Sequence, residues 1–261
     1  MSNVTWEAHL ERLRAATTGK FSRKDIVRWI ETNTFLKGEP FSFKDHEYAI
    51  QIVEDDSESI VVTKPSQVGM SETIARLLLA RAAITPMNII YVMPTHSAAT
   101  DFAKGRVNEI ISESPYLSNA IDKGVDNVSI KKIGYSYIFF KGSSKDSQAI
   151  SRPASAVICD EYNYCSETIV AQYQSRLNHS ERKERLFFST PTLPGRGVSA
   201  MLEESKQHYR MVKCCHCNTW SWPTLPDDIR IPGLANIDWP TLNKSKLATI
   251  DYREAYFAFP Q

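Results

Sequence analysis

The fold is decided by residues 60–71, IVVTKPSQVGMS, which predict a β-strand, a tight loop and the start of a helix in direct succession. The β-branched run 60–63 favours a strand, and a helical pattern follows over 71–83. In such a setting the backbone N–H groups of the loop and the N-terminus of the helix face an anion. The stretch therefore indicates a phosphate-binding loop at the end of a strand.

This loop departs from the usual phosphate-loop pattern, GxxxxGK[ST], at two positions. Gly69 and Ser71 keep the final glycine and the hydroxyl, whereas Met70 stands in the lysine position and Lys64 in that of the first glycine. A lysine at the head of the loop can still reach across to the β- and γ-phosphates. The alternative is an ordinary strand–turn–helix with a stray lysine.

A second segment, AVICDE at residues 156–161, favours the phosphate-binding interpretation. It is an apolar strand that ends in Asp160 and Glu161, the form of a Walker B motif. An aspartate at the end of a buried strand can hold Mg²⁺ through its water shell. The glutamate is expected to point to the other side and to polarise a water for attack on the γ-phosphate. The alternative is a strand that ends in a solvated acidic turn.

A third apolar strand, at residues 186–188, ends in small hydroxyl residues, and it is followed by Ser189, Thr190, Pro191 and Thr192. Hydroxyl groups at this position can sense a γ-phosphate. The three strand ends carry complementary chemistry in the order expected of a P-loop ATPase.

With these motifs the sequence resembles the ATPase half of the large terminase subunit of tailed bacteriophages, most closely the lambda-like type. Members of that family have a phosphate loop with its lysine at the front, which KPSQVGMSE (64–72) fits better than the usual pattern. The resemblance also includes VICDE (157–161), STPT (189–192) and VKCCHC (212–217). It extends over residues 41–217, most of the chain.

The resemblance implies an α/β fold of the RecA-like P-loop (ASCE) NTPase class, with a mostly parallel central sheet flanked by helices, and Mg²⁺-dependent ATP hydrolysis. Ser71 and Asp160 are expected to hold Mg²⁺, and Glu161 to align the catalytic water. The expected ATP-binding residues are Phe43, His46, Lys64, Pro65, Ser66, Gln67, Val68, Gly69, Met70 and Ser71. Ser189, Thr190 and Pro191 are expected to pass the nucleotide state on to DNA-gripping loops.

The resemblance further implies a motor that packages double-stranded DNA into a procapsid in the cytoplasm of an infected bacterium. Its partners would be a small terminase subunit and the portal protein, and its working form a homo-oligomeric ring. The nuclease half of the family is not found among these 261 residues. We therefore expect an isolated ATPase domain without nuclease activity, monomeric on its own.

Two other functions remain open at this stage. A helicase of the DExx type shares the Asp-Glu pair and the Ser-Thr-Pro segment, but it needs a second RecA-like domain for which the chain has no room. A degenerate P-loop that docks DNA or a procapsid without hydrolysis is favoured by Met70 and disfavoured by the intact Asp160–Glu161 pair. ATP turnover separates a hydrolysing motor from such a docking module.

An arginine from a neighbouring subunit can neutralise charge in the transition state of phosphoryl transfer. The family places an arginine shortly before the Walker B strand, so Arg152 is the catalytic candidate here, and Arg76 on the P-loop helix is its competitor.

On the adenine side, Phe43 and His46 precede the P-loop strand at the expected distance. The alternative for them is the start of a helix with a packed aromatic ring.

The motif CCHC at residues 214–217 places Cys214 and Cys217 at the spacing of a zinc knuckle. Two thiolates are half of a tetrahedral site, and no second pair follows, so a chain without zinc is the favoured interpretation. The five cysteines are odd in number, which argues against a disulfide framework.

Composition bounds the remaining possibilities. A length of 261 residues with 42% hydrophobic and 23% charged residues predicts one large globular α/β domain. No apolar run is long enough to span a membrane. The net charge of +1 means that DNA contact would depend on a local basic patch. The candidate stretches are Lys131-Lys132, 182–185 and 244–246, and each is more simply a solvated face. We divide the chain into a helical appendage (1–40), an ATPase core (41–213) and a tail with the cysteine motif (214–261).

Overall fold

The computed structural model describes residues 24–144, 153–209, 211–213, 218–221, 229–230 and 256–257. Several predicted features lie outside them. Among these are residues 1–23 of the helical appendage, the candidate arginine Arg152 and the cysteine pair Cys214 and Cys217. The chain divides into two compact units, Met1–Lys206 and Gln207–Gln261.

A six-stranded sheet organises the first unit. Its strands in chain order are β3 (Ser59–Thr63), β4 (Asn88–Met93), β5 (Ile130–Ile133), β6 (Ser136–Gly142), β7 (Ala156–Asp160) and β8 (Glu184–Ser189). They lie in the order β3-β8-β7-β4-β6-β5, and every neighbouring pair is parallel except the antiparallel hairpin β5–β6. The mixed α/β fold with a mostly parallel sheet confirms the predicted fold class.

The described residues also form eight α-helices, and those that follow β3, β4 and β7 lead to the next strand, as expected for parallel pairs. The eight helices are α1 (Lys24–Asn33), α2 (Tyr48–Glu54), α3 (Met70–Ile84), α4 (His96–Phe102), α5 (Asn108–Glu113), α6 (Pro115–Ala120), α7 (Glu167–Gln174) and α8 (Val198–Glu203). One turn of π-helix, Ala103–Val107, joins α4 to α5, and 3₁₀ turns lie at Tyr162–Tyr164 and Ser175–Leu177. A short hairpin, β1 (Phe35–Leu36) and β2 (Glu39–Pro40), follows α1. None of the described helices is long and apolar enough to cross a membrane.

Helices cover both faces of the sheet, so its central strands are apolar throughout. All five residues of β7 are buried. Ala156 and Ile158 pack in the core that includes α3, whereas Val157 and Cys159 pack with α7 on the other face. This alternation is the side-chain period of a strand, and a sheet covered on both faces requires it to be apolar at every position.

The second unit contains two short antiparallel pairs. Strand β9 (Val212–Lys213) pairs with β10 (Trp220–Ser221), and β11 (Ile229–Arg230) pairs with β12 (Tyr256–Phe257). The sequence pattern predicts a strand over 208–213, and of the residues described there only Val212 and Lys213 form one. That strand pairs with β10 and is not part of the six-stranded sheet.

Most of the predicted elements of the first unit are present. The apolar run 88–93 predicts a strand, which is β4, and the alternating residues on both sides of Gly134 predict a hairpin, which is β5–β6. Helix α3 covers the helix predicted over 71–83.

The basic pair Lys131-Lys132 is a correction. Lys131 is only 2% exposed and pairs with Asp126, and Lys132 pairs with Asp122 at 2.7 Å. Because both charges have carboxylate partners and Lys131 is buried, this stretch is not an exposed basic patch.

Candidate functional site

The carboxyl ends of β3, β8, β7 and β4 meet at one edge of the sheet, because these four strands are parallel. The last residues of these strands are, in the same order, Thr63, Ser189, Asp160 and Met93. In open α/β sheets, ligands bind outside the carboxyl ends of the strands. The topology thus brings the three predicted motifs to one place.

The loop after β3 has the backbone that a close approach to an anion requires. Gly69 is the residue before α3 and has a φ of 71°, and Gln67 has a φ of 63°. A Cβ on Gly69 would lie 3.3 Å from the His46 ring, so any larger side chain is both strained and crowded there. The hydroxyl of Tyr48 donates to the carbonyl of Val68 and fixes the middle of the loop. Residues 65–67 and Gly69 are exposed, which leaves this side of the loop open.

Lys64 lies between the two acidic residues of the β7 end. Its Nζ is 2.8 Å from Glu161 Oε1 and 3.2 Å from Asp160 Oδ1, and the lysine is 6% exposed. Its backbone N–H donates to the carbonyl of Ser189 at 3.0 Å, which ties the loop to the neighbouring strand β8. The lysine at the head of the loop is therefore an integral part of the site, in contact with both carboxylates.

Glu161 does not point to the opposite side from Asp160, as a continuing strand would require. It leaves the strand in the left-handed conformation, with a φ of 53°, so that its carboxylate meets Lys64 together with that of Asp160. A non-glycine residue in this region is strained, and such strain concentrates at functional sites. The sequence pattern could not show this turn, because the alternation rule holds only while the strand continues.

Three groups hold the carboxylate of Asp160. Oδ1 contacts Lys64 and accepts the backbone N–H of Glu161 at 3.0 Å, and Oδ2 accepts the hydroxyl of Tyr91 at 3.2 Å. Tyr91 is fully buried, and its ring stacks on Phe102 with centroids 4.5 Å apart. The carboxylate thus has a fixed orientation at the end of β7.

Burial and charge act against each other in this cluster. Burial raises the pKa of Asp160, and the nearby Glu161 adds to the rise while Lys64 opposes it. Burial lowers the pKa of Lys64, but the two carboxylates outweigh it, so that the pKa lies above its ordinary value. Lys64 therefore stays protonated at neutral pH, and its charge is what permits two acids at one buried strand end.

A cleft of about 490 Å³ opens beside this cluster. Ser71, Asp160 and Glu161 line it from the side of the loop and of β7, and Glu72 and Arg106 from the helices. Arg106, on the π-helical turn, pairs with Glu72. Residues from the phosphate loop and the Walker B segment thus face one solvent-filled space.

The donor set of the cleft suits Mg²⁺. The hydroxyl of Ser71 and the carboxylate of Asp160 are hard oxygen ligands on its wall. Among the described residues no group of three or more His, Cys, Asp or Glu is placed to hold a metal by itself. Proteins usually bind Mg²⁺ through one or two carboxylates together with phosphate oxygens and waters, and Asp160 would supply such a carboxylate.

Met70 occupies the position that a lysine holds in the usual pattern, and it is 3% exposed in the hydrophobic core.

On the expected adenine side, Phe43 is 1% exposed and packs edge-on against Phe41. The Phe43 ring therefore has no free face for a base. His46 is exposed and lies beside Gly69, with the Tyr48 ring 5.9 Å away. Of the two predicted residues, only His46 offers a ring surface at the loop.

Arg76 is a structural residue and not an arginine for a neighbouring subunit. Its side chain is fully buried, pairs with Glu72 at 2.5 Å and donates to the carbonyl of Phe35 at 2.7 Å. The guanidinium also lies 4.0 Å from the centre of the Phe41 ring. A side chain held in this way cannot reach another molecule, which removes the competitor of Arg152.

Ser189, at the end of β8, is fully buried. Its hydroxyl donates to the carbonyl of Thr190 and accepts the backbone N–H of Asn163 at 3.2 Å. Thr190 is partly exposed and Pro191 exposed. The predicted coupling segment is therefore joined to the turn after the Walker B strand.

Sequence reasoning missed Tyr91 and Asn163, and it gave no role to Tyr48. Tyr91 lies in the middle of an apolar strand, where a tyrosine is most simply a core residue. Only its phenolic hydroxyl distinguishes it from the apolar side chains of β4, and the sequence does not show that this hydroxyl meets Asp160 on the adjacent strand β7. Asn163 lies two residues after Glu161, and the neighbouring sequence does not indicate that it bonds to Ser189, Thr192 and Val198.

Comparison with known proteins gives a consistent result. A family model described as the ATPase domain of the phage terminase large subunit gpA matches residues 45–251. No curated protein shows a significant match. Among solved structures, the large terminase of bacteriophage HK97 is similar with a TM-score of 0.60 and 14% identity over 70% of this chain and 41% of that chain.

Two further terminases align less well. They are the ATPase domain of the Thermus phage P74-26 large terminase, with a TM-score of 0.47, and the large terminase of another thermophilic bacteriophage, with 0.48. Their identities are 16% and 14%, over 55% and 64% of this chain. This chain covers 64% of the first and 44% of the second, so it spans less than two thirds of each matched protein.

Proposed function

Because the chain belongs to the family of ATPase domains of the phage terminase large subunit gpA, we propose that it is the Mg²⁺-dependent ATPase of a motor that moves double-stranded DNA into a procapsid. The single observation that carries the proposal is the position of Lys64. Its ammonium joins the front of the phosphate loop to Asp160 and Glu161 at the end of β7.

In this proposal Lys64 exchanges the two carboxylates for oxygens of the β- and γ-phosphates, while the loop amides and the N-terminus of α3 hold the remaining charge. Asp160 is thereby free to hold Mg²⁺ together with Ser71. Bound Mg²⁺ supplies charge neutralisation at the phosphates. Glu161, released from Lys64, accepts a hydrogen bond from the attacking water and orients it.

Tyr91 and the backbone N–H of Glu161 keep the Asp160 carboxylate in place during this exchange, since neither depends on Lys64. Arg152, whose position lies outside the described residues, is our candidate for the arginine that a neighbouring subunit supplies. We further propose a homo-oligomeric ring that works with a small terminase subunit and a portal protein in the cytoplasm of the infected host.

The test separates binding from chemistry. Glu161→Gln should bind Mg·ATP with near wild-type affinity and fail to hydrolyse it, because the carboxylate serves only the water. Asp160→Asn should instead weaken the Mg²⁺ dependence of nucleotide binding. The measurements are equilibrium binding of a fluorescent ATP analogue across a Mg²⁺ titration and release of inorganic phosphate.

Loss of nucleotide binding to the same extent in both variants would contradict this division of roles. Binding of Mg·ATP without turnover in the wild-type protein, at any concentration and with DNA present, would instead favour the docking module. Glu109→Gln is a suitable control, because Glu109 lies on the same cleft wall but on α5, away from the end of β7.

A further inference from the structure

Asn163 makes hydrogen bonds to three points of the connection that follows β8. Its backbone N–H donates to Ser189 Oγ at 3.2 Å, and its side-chain Nδ2 donates to Thr192 Oγ1 at 3.0 Å. Its Oδ1 accepts the backbone N–H of Val198, the first residue of α8, at 2.9 Å. One residue of the 3₁₀ turn after the Walker B strand therefore holds the end of β8, the middle of the following loop and the start of a helix.

The backbone of the loop comes unusually close to this side chain. A Cβ on Gly197 would lie 2.2 Å from Asn163 Oδ1, and Gly197 has a φ of 55° and a ψ of −130°, which only glycine adopts readily. Glycine at this position permits the amide to reach the first N–H group of α8. The hydrogen bond from Val198 to Asn163 thus depends on the asparagine amide and also on the glycine at position 197.

The same turn is joined to the carboxylates of the site. Glu161, two residues earlier, is in the left-handed conformation and contacts Lys64 through its carboxylate. The backbone N–H of Tyr164 donates to the carbonyl of Glu161 at 2.9 Å, which closes the turn around Asn163. A change in the backbone of Glu161 would therefore move Asn163, and with it the loop and α8.

We propose that Asn163 is a positioning residue that couples the state of the Walker B carboxylates to the segment 190–203. This inference rests on the proposed function, because it assigns the release of Glu161 from Lys64 as the event that is transmitted. Asn163 does not touch the nucleotide. It acts through Glu161 on one side and through Thr192 and Val198 on the other.

The chemistry of an amide explains why an asparagine fits this position. The side chain must accept from one N–H group and contact a hydroxyl that can either donate or accept. Aspartate keeps the first bond and can regain the second, because the Thr192 hydroxyl can turn to donate to a carboxylate. Alanine loses both bonds. The pair Asn163→Asp and Asn163→Ala therefore compares a side chain that can keep both hydrogen bonds with one that can keep neither.

Hydrogen exchange of the amides in 190–203, with and without Mg·ATPγS, tests the proposal on the full chain. In the wild type we expect a severalfold slowing of exchange when the nucleotide binds, since local opening of the segment becomes rarer. Asn163→Ala should bind Mg·ATPγS with unchanged affinity and lose this slowing, and Asn163→Asp should retain most of it. Asn119→Ala, which removes an exposed amide bonded to the Pro115 carbonyl, is the matched control and should behave as wild type.

The possible failures are distinguishable. A wild-type protein that binds no nucleotide overturns the proposed function and this inference with it. A wild type that binds but shows no change in 190–203, or an Asn163→Ala variant that keeps the full change, overturns the inference alone. The inference is also overturned if Asn163→Ala loses enough nucleotide affinity to account for the lost slowing of hydrogen exchange. If that variant does not fold, Thr192→Val removes only the outer hydrogen bond and should still reduce the slowing.

Discussion

Lys64 is a charged residue with 6% of its surface exposed, and it is tolerated because two carboxylates lie within 3.2 Å of its Nζ. Removing one member of a buried charge cluster leaves the others uncompensated, which costs more than the pair itself contributes. The lysine is therefore bound to the acids for stability and, in the proposed function, to phosphate for catalysis. In the proposed function, Lys64 at the front of the loop does what the lysine of the usual pattern would do at position 70.

Lys64→Ala should reduce ATP hydrolysis to a small fraction of the wild-type rate, because Met70 carries no charge to replace it. Loss of a charge-assisted phosphate contact is expected to cost about 2–4 kcal/mol in the transition state, or roughly 30- to 1000-fold in rate. Phosphate release measures it, and circular dichroism verifies that the variant is folded. Lys123→Ala, at an exposed loop position, is the control. Normal hydrolysis by a folded Lys64→Ala protein would refute the assignment of the front lysine.

Helix α3 explains why the lysine position of the usual pattern is occupied by an apolar residue in this chain. The helix begins at Met70, and thirteen of its fifteen residues are buried, Met70 among them. Helix α3 therefore lies inside the unit, and its first side chain packs in the core while its N-terminus faces the cleft. A charge at the first position would have to enter the core or distort the start of the helix.

Met70→Lys is thus expected to destabilise the protein by several kcal/mol, because it buries an ammonium without a partner. It should not restore ATP hydrolysis to Lys64→Ala. For a domain of this size each kcal/mol corresponds to about 2–4 °C in Tm, so thermal unfolding resolves the effect. Met70→Leu, which conserves volume, should shift Tm little. An active Lys64→Ala/Met70→Lys double variant would show that this position can act as it does in the usual pattern.

Elements of the first unit were predictable wherever local pattern and tertiary context agree. Strand β4 and the hairpin around Gly134 follow from apolar runs and a turn residue, and the order of motifs indicated which strand ends would meet. Helix α2 was predicted only as the alternative interpretation of Phe43 and His46, and the turn at Glu161 was not predictable. The first is a short helix without a side-chain cap, and the second depends on a backbone conformation that no local residue demands.

The contacts within the site were predictable only in part. The sequence indicated Lys64, Asp160 and Glu161, because the motifs that contain them come in the order expected of a P-loop ATPase. It could not indicate Tyr91 or Asn163, whose partners lie 69 and 26 to 35 positions away in the chain. It also placed Phe43 beside a nucleotide, whereas the ring is part of the core. Aromatic residues near a motif serve packing as readily as binding.

For the whole molecule, the proposed function requires that copies of the chain come into contact. The net charge of +1 provides little repulsion between copies. Arg76, the alternative to Arg152, is buried and committed to Glu72 and Phe35. If a trans arginine completes the site, Arg152 is therefore the candidate that remains from the sequence, and its contribution requires contact between subunits.

We expect this chain to be mostly monomeric in dilute solution and to hydrolyse ATP slowly there. Turnover per subunit should rise with protein concentration, because contact brings Arg152 to a neighbour's γ-phosphate, and such arginines contribute roughly 10³-fold or more in other NTPases. The measurement is specific activity against concentration, with the mass of the particles followed by light scattering, for wild type, Arg152→Ala and the exposed control Arg28→Ala. Arg28→Ala should follow the wild type, and Arg152→Ala should stay at the dilute rate although it self-associates equally. A flat wild-type profile despite association, or an equal rise in Arg152→Ala, would exclude Arg152 from the site, because an arginine that acts across subunits must make activity depend on their contact.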